Sequence, residues 1–343
     1  MKRVLVVRFS ALGDIAMTVP VVVSCAQAYP DTHFYVLSIQ KVRDLFFSLA
    51  PNIHFVAADL RGKHRGIRGI LSLFRELRAY SFDHIIDLHA VLRTHLLRNL
   101  FSISGVKTAS INKGRNDKKK LTQRVNKQLK PLISGHERYR DVFRRAGFSF
   151  NMIDVLRIKP EVLLSKQQPV TAKITRIGIA PFAQHRAKMY PLNKMEAIIS
   201  VLGKKKNTEI FLFGGGETEK MIAGEWSRKY TYLKNYVGKL SLNEELALMK
   251  QADIILTMDS ANMHLASLVG IRVISIWGAT HPFAGFLGWN QSYDDVIQQN
   301  LSCRPCSVYG NKPCFRKDYA CMETIEPEQV INKIEQCVYA DRV

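Results

Sequence analysis

Ile254-Ile255-Leu256-Thr257-Met258-Asp259-Ser260-Ala261-Asn262-Met263-His264-Leu265-Ala266 decides the fold. An apolar run ending at Thr257 reads as a buried strand, and the acid, hydroxyl and small polar steps after it open a helix. A strand delivered straight into a helix is the repeating piece of a parallel α/β sheet. Asp259 or Ser260 is expected to cap that helix, whose unpaired N–H groups and positive dipole end face a ligand pocket. The stretch therefore reads as an anion site suited to phosphate or pyrophosphate. The competing reading is a capped helix with His264 packed beneath it.

Working outward, the same alternation recurs in two similar halves. The first has expected strands at Val4–Arg8, His33–Leu37, His54–Ala57, His84–Leu88 and Gly105–Ser110, with helices between them. The second has strands at Ile174–Ala180, Glu209–Phe213, near Asn235–Val237, Ile254–Thr257 and Val273–Trp277. Helices around Leu192–Leu202, Glu217–Lys229, Leu242–Lys250 and Met263–Val269 separate these. Such spacing predicts two doubly wound, Rossmann-like parallel sheets with right-handed crossovers, each offering its strand C-termini to a common cleft. The polar stretch 149–171, with Pro160 and Pro169, is the expected hinge, giving domains 1–160 and 161–343. A last helix, Pro327 to Tyr339, is expected to pack on either domain, including back on the N-terminal one.

At 343 residues, 47% of them hydrophobic and 23% charged, the chain can bury two cores and is not disordered. No apolar window approaches a membrane span. The opening apolar run is four residues long before Arg8, so it reads as a strand and not as a signal peptide, and a cytoplasmic location is expected. The formal net charge is +21. Between Ile111 and Lys130, eight basic residues face the single acid Asp117, which describes a basic loop or arm. A second cluster, Arg61, Lys63, Arg65, Arg68, Arg75 and Arg78, lies on an expected helix whose core positions are Ile67, Ile70, Leu71 and Phe74. Such surface suits anionic lipid, phosphorylated glycan or nucleic acid. Nothing resembles a helix-turn-helix, an RNA-binding sheet motif or zinc-finger spacing, so a nucleic-acid partner is not expected.

Four of the six cysteines cluster as Cys303-x2-Cys306-x7-Cys314-x6-Cys321. The first pair has zinc-ribbon spacing and the second does not repeat it, so no metal or other cofactor is assigned. After the first strand comes Arg8-Phe9-Ser10-Ala11-Leu12-Gly13-Asp14, which is not a dinucleotide fingerprint. Asp14 stands at a helix start, where a carboxylate is held as an anion and can serve either as a general base or as a cap.

Three blocks resemble the signatures of glycosyltransferase family nine, the family of the lipopolysaccharide heptosyltransferases. They are Arg8 to Ile15, Phe82-Asp83-His84-Ile85-Ile86-Asp87-Leu88-His89 with Arg93, and Asp259 to Ala266. Similarity continues through Ile276-Trp277-Gly278-Ala279-Thr280 and the cysteine block to Met322, covering nearly the whole chain in order. The resemblance implies a GT-B, inverting, metal-independent transferase using a nucleotide-diphosphate sugar, by default ADP-heptose. A family relative using another nucleotide sugar is the alternative. The N-terminal domain then holds an anionic glycolipid acceptor at the inner membrane surface, and the C-terminal domain holds the donor.

Asp14 corresponds to the family's proposed base, with Arg8, Ser10, Gly13, His89 and Arg93 on the acceptor side. Lys188 corresponds to the lysine that meets the diphosphate, joined by the backbone N–H groups of Ser260 and Ala261. Asp259 and His264 shape that pocket, and Glu217, with Glu219 as competitor, is positioned for the ribose. Two departures stand out. Ala261-Asn262 replaces the Gly-Pro that many members carry, and Tyr190 replaces a tryptophan.

Overall fold

The computed structural model describes residues 1–154, 156 and 174–339. Most of the expected hinge, from 157 onward, lies outside the described residues. The chain divides into two compact units, Met1–Lys113 with Ile133–Ile158, and Gly114–Leu132 with Lys159–Val343. The basic segment Gly114–Leu132 thus belongs to the second unit, although it is written inside the first half of the sequence.

The first unit is a five-stranded sheet of β1 (Lys2–Val7), β2 (Thr32–Ser38), β3 (Ile53–Ala57), β4 (His84–Asp87) and β5 (Lys107–Ser110). Its order is β3-β2-β1-β4-β5 and every pairing is parallel. Val4 to Val7 are buried without alternation, as expected of a central strand covered on both faces. Helices α1 (Leu12–Ala28), α2 (Gly66–Arg78) and α3 (Leu92–Ile103) form the crossovers. After α4 (Arg115–Thr122) of the other unit, α5 (Gly135–Arg145) returns to the first.

On α2 the buried stripe is Ile70, Leu73 and Leu77, packed with Leu97 and Phe101 of α3. Ile67, expected in the core, is instead 71% exposed. It sits in the first helical turn, where the apolar pattern runs on past the residues that cover it.

The second unit is a six-stranded parallel sheet of β6 (Thr175–Ala180), β7 (Thr208–Leu212), β8 (Leu233–Asn235), β9 (Ile254–Met258), β10 (Val273–Trp277) and β11 (Val296–Gln298). Its order is β11-β10-β9-β6-β7-β8. Helices α6 (Leu192–Gly203), α7 (Glu217–Lys229), α8 (Leu242–Met249), α9 (Ala261–Leu268), α10 (Ala320–Glu323) and α11 (Pro327–Tyr339) complete it. Helix α11 packs on this unit, where Val330, Ile331 and Ile334 join the core that holds Ile199 and Leu202 of α6.

Each strand order reverses direction once. In the first unit the chain builds from β1 toward β3 and then crosses to β4, so the loops leaving the paired C-terminal ends of β1 and β4 diverge. In the second unit the same divergence falls between β6 and β9. These switch points are where open α/β sheets bind ligands, because the loops part there and leave a crevice.

Candidate functional site

At the β6/β9 switch point the loops bring two expected residues together. A short turn, Arg186–Lys188, follows β6 and carries Lys188, while Asp259 directly follows β9. Lys188 Nζ lies 3.0 Å from Asp259 Oδ2, with the side chains 17% and 6% exposed. Beside this pair begins α9. Ser260 occupies its N-cap position but makes no side-chain cap hydrogen bond, and its hydroxyl instead lies 3.2 Å from Thr257 Oγ1. The contrast with α8 is direct, since Ser241 Oγ there accepts from the Glu244 N–H and the Glu244 carboxylate accepts from Ser241 N–H in return. The first turn of α9, opening at Ala261, thus lacks the side-chain cap that α8 has, next to a lysine ammonium. This is the composition of an anion cradle. His264, one turn on, is buried beneath.

The glycine loop Gly214-Gly215-Gly216 opens α7 at the end of β7. Glu219 is committed there, accepting from Gly215 N–H at 2.8 Å and Gly216 N–H at 3.1 Å. Glu217 points outward, its side chain 86% exposed and paired with Lys220 at 2.7 Å.

In the first unit, Arg8 ties the β1/β4 switch point together. Its guanidinium donates to the carbonyls of Ser10 at 2.8 Å and Leu88 at 2.5 Å, and pairs with Asp14 Oδ2 at 2.6 Å. Asp14 lies in the first turn of α1 and also accepts from Ala11 N–H at 3.4 Å. Arg8 is the more buried partner, 9% exposed against 31% for Asp14, so the carboxylate is the member that solvent reaches. Gly13 precedes it in the same turn.

Across the crevice, Ser10 Oγ meets His89 Nε2 at 3.3 Å. Burial, reinforced by the Arg8 cation, lowers the His89 pKa to about 4, so its ring is neutral at ordinary pH. Arg93 is half-buried in the first turn of α3. One residue that carried no assigned role anchors this loop. Asp87 is fully buried and accepts the N–H groups of His89 at 2.9 Å and Ala90 at 2.8 Å. Its signal in the sequence was an acid closing an otherwise apolar strand.

The cysteine block is built around Arg304, which is 3% exposed and flanked by Cys303 and Cys306. Its guanidinium donates to the carbonyls of Trp277 and Thr280, each at 3.0 Å, and to those of Gly278 and Gln299. No carboxylate among the described residues pairs with it, and burial lowers its pKa to about 10. Cys303, Cys306, Cys314 and Cys321 are free thiols. Burial raises the Cys321 pKa to about 11. Among the described residues no three His, Cys, Asp or Glu side chains are grouped to hold a metal ion.

Residues 70–314 match the family described as glycosyltransferase family 9 (heptosyltransferase). The chain belongs to glycosyltransferase family 9. It is 25% identical over 301 residues to lipopolysaccharide heptosyltransferase 3 of Escherichia coli K12, covering 83% of this chain and 84% of that one. It is 27% identical over 139 residues to lipooligosaccharide heptosyltransferase 2 of Campylobacter jejuni, a match spanning 39% of this chain and 43% of that protein. The structure of E. coli heptosyltransferase WaaC with ADP superimposes with a TM-score of 0.69 at 19% identity, covering 98% of this chain and 99% of that one. The fold is accordingly that of the GT-B heptosyltransferases, two parallel-sheet α/β domains in one chain.

Proposed function

We propose that this family 9 protein transfers heptose from ADP-heptose to a lipopolysaccharide-type glycolipid, with inversion and without a metal. The observation that carries the reading is the Lys188–Asp259 pair beside the helix start of α9 at the β6/β9 switch point. A diphosphate needs concentrated positive charge and N–H donors there, and a lysine plus helix-end amides provide both. The ADP in the WaaC structure and the names of the relatives favour adenosine and heptose.

In the reaction, Asp14 takes the proton from an acceptor hydroxyl as that oxygen attacks the anomeric carbon of the donor. The bond from that carbon to the diphosphate oxygen breaks with inversion, and ADP leaves carrying the charge. Lys188 and the N–H groups of Ser260 and Ala261 stabilise that charge as it develops. His264 closes the floor of the pocket, and Glu217 is assigned to the ribose. Arg8 orients Asp14, while Ser10, Gly13, His89 and Arg93 line the acceptor side.

The acceptor is bound to a membrane, so the enzyme works at its inner face. The exposed Arg65 and Arg68 of the α2 region support this, each basic residue adding about 1 kcal/mol near an anionic leaflet.

Calorimetric titration with ADP, UDP, GDP and CDP in EDTA tests the donor assignment. Selective ADP binding that is strongly weakened in Lys188→Met supports it. Equal binding of all four, or none, removes it.

A further inference from the structure

Transfer chemistry leaves two conspicuous pieces of sequence unused, the basic segment and the cysteine block, and the second unit joins them. Lys127 Nζ donates to three backbone carbonyls, those of Ser302 at 3.1 Å, Cys303 at 2.7 Å and Pro305 at 3.1 Å. Three acceptors use all three ammonium protons. Around this anchor, Lys118 lies over the rings of Phe286 and Tyr309 at 4.6 and 5.6 Å, and Arg124 over Phe315 at 4.3 Å. Leu132 N–H closes the segment onto Phe283 O at 2.9 Å. Three of the eight cations are therefore turned onto their own domain, which is the arrangement of a strap and not of a free polybasic arm.

The block that the strap holds is itself attached to Lys188 at two places. Cys306 N–H and Ser307 N–H both donate to Ala279 O, and Ala279 N–H donates to Ala187 O at 3.0 Å, so the turn carrying Lys188 hangs from the block. The second attachment is steric. Gly310 has φ +73°, with its N–H bonded to Ser307 Oγ at 2.9 Å, and a Cβ built there would lie 2.3 Å from Lys188 Cγ. The aliphatic stem of Lys188 thus runs directly over a bare backbone and delivers its ammonium to Asp259.

We infer that the strap and the cysteine block form a clamp that seats Lys188 for the donor diphosphate, with Lys127 and Ser307 as positioning residues. This rests on the donor-site reading above. Neither residue touches the ligand in this scheme. Each holds backbone that holds the lysine, so the loss of either lets the ammonium leave its aim.

The test is a double-mutant cycle on ADP affinity by calorimetry. Lys127→Met and Ser307→Ala are each made in the native chain and in Lys188→Met. Ser307→Ala removes one hydroxyl and keeps the test open should Lys127→Met not fold. In the native background each weakens ADP binding by between about twofold and thirtyfold, the range for residues acting through a packed network. In Lys188→Met neither produces a further loss, because the group they position is absent. Unchanged affinity in both single variants overturns the inference. So does an equal loss in both backgrounds, which is the signature of general loosening. Normal ADP binding by Lys188→Met alone overturns the donor-site reading, and the clamp's role with it.

Discussion

Replacing Lys188 changes the charge of the β6/β9 crevice, the proposed donor site, in a way that can be followed through three variants. In the native chain the Lys188 ammonium and the Asp259 carboxylate, 3.0 Å apart, sum to zero. Lys188→Met keeps the stem over Gly310 and leaves Asp259 alone, a carboxylate only 6% exposed facing an incoming diphosphate. At about 4 Å and an effective dielectric near 20, one unit charge is worth about 4 kcal/mol. Screening and adjustment reduce that, so ADP affinity is expected to fall by about 10²-fold or more. Restoring neutrality with Lys188→Met/Asp259→Asn should recover about tenfold of the loss, and Asp259→Asn alone should bind ADP at least as tightly as the native chain.

Stability follows a related order. Orphaning a buried carboxylate costs about 3 kcal/mol, so Lys188→Met should melt roughly 6–12 °C below the native chain, with the double variant recovering part of it. Calorimetric titration below the melting range, with a melt of each variant, reads both quantities. The reasoning is refuted if Lys188→Met binds ADP normally, or if the double variant binds no better than the single one.

Asp14→Asn keeps the shape of the first loop but cannot take a proton, so turnover should drop about 10²-fold or more with ADP affinity unchanged; full turnover removes Asp14 from the role of base. Glu217→Ala should leave the melting temperature alone, because its partner Lys220 is a surface lysine. An ADP affinity reduced about tenfold would fit a lost ribose contact, whereas unchanged affinity takes Glu217 out of the site. Glu219→Ala, by contrast, strips two loop amides of their acceptor and should cost about 1–2 kcal/mol of stability. Acid should also destabilise the fold. Burial lowers His89 and His281 to about 4 in the native state, while the unfolded chain protonates near 6.5. The unfolded state then binds more protons between those values, so stability is level above about pH 6.5 and falls as pH drops toward 4. A denaturant midpoint that stays flat from pH 7.5 to pH 5 contradicts this.

Strands and helices were legible wherever apolar periodicity was strong. Val273–Trp277, Glu217–Lys229 and Pro327–Tyr339 have the bounds expected of them. The three-residue edge strand Val296–Gln298 escaped because so short a segment has no period to detect. The switch-point residues were legible in identity, since Arg8 and Asp259 directly follow strands, Lys188 lies in the connection after β6, and Asp14 opens the helix after β1. What could not be read was pairing. That Lys188 meets Asp259, 71 positions away in sequence, depends on β6 and β9 being neighbours, and strand order leaves no local trace. Arg304 and Lys127 were hidden for a different reason. Each looks like surface charge until the carbonyls that surround it are known, and backbone acceptors carry no signature in the letters of the sequence. The assignment of Gly114–Leu132 to the second unit was hidden with them.

The two switch points use one device in opposite senses. Each contains a cation and a carboxylate in direct contact, Arg8 with Asp14 and Lys188 with Asp259. In the first unit the cation is the buried member and the carboxylate the exposed one, at 9% and 31%. In the second the carboxylate is buried, at 6%, and the cation is the more exposed at 17%. The buried partner in each case is neutralised and held still by the other, which limits the desolvation cost of keeping a charge in a crevice. The more exposed partner is the one that solvent reaches. A carboxylate presented this way can only accept, which suits a hydroxyl that must lose its proton, and an ammonium can only donate, which suits a departing phosphate. In the proposed reaction, the division of labour between Asp14 and Lys188 thus follows from which member of each pair the fold buries.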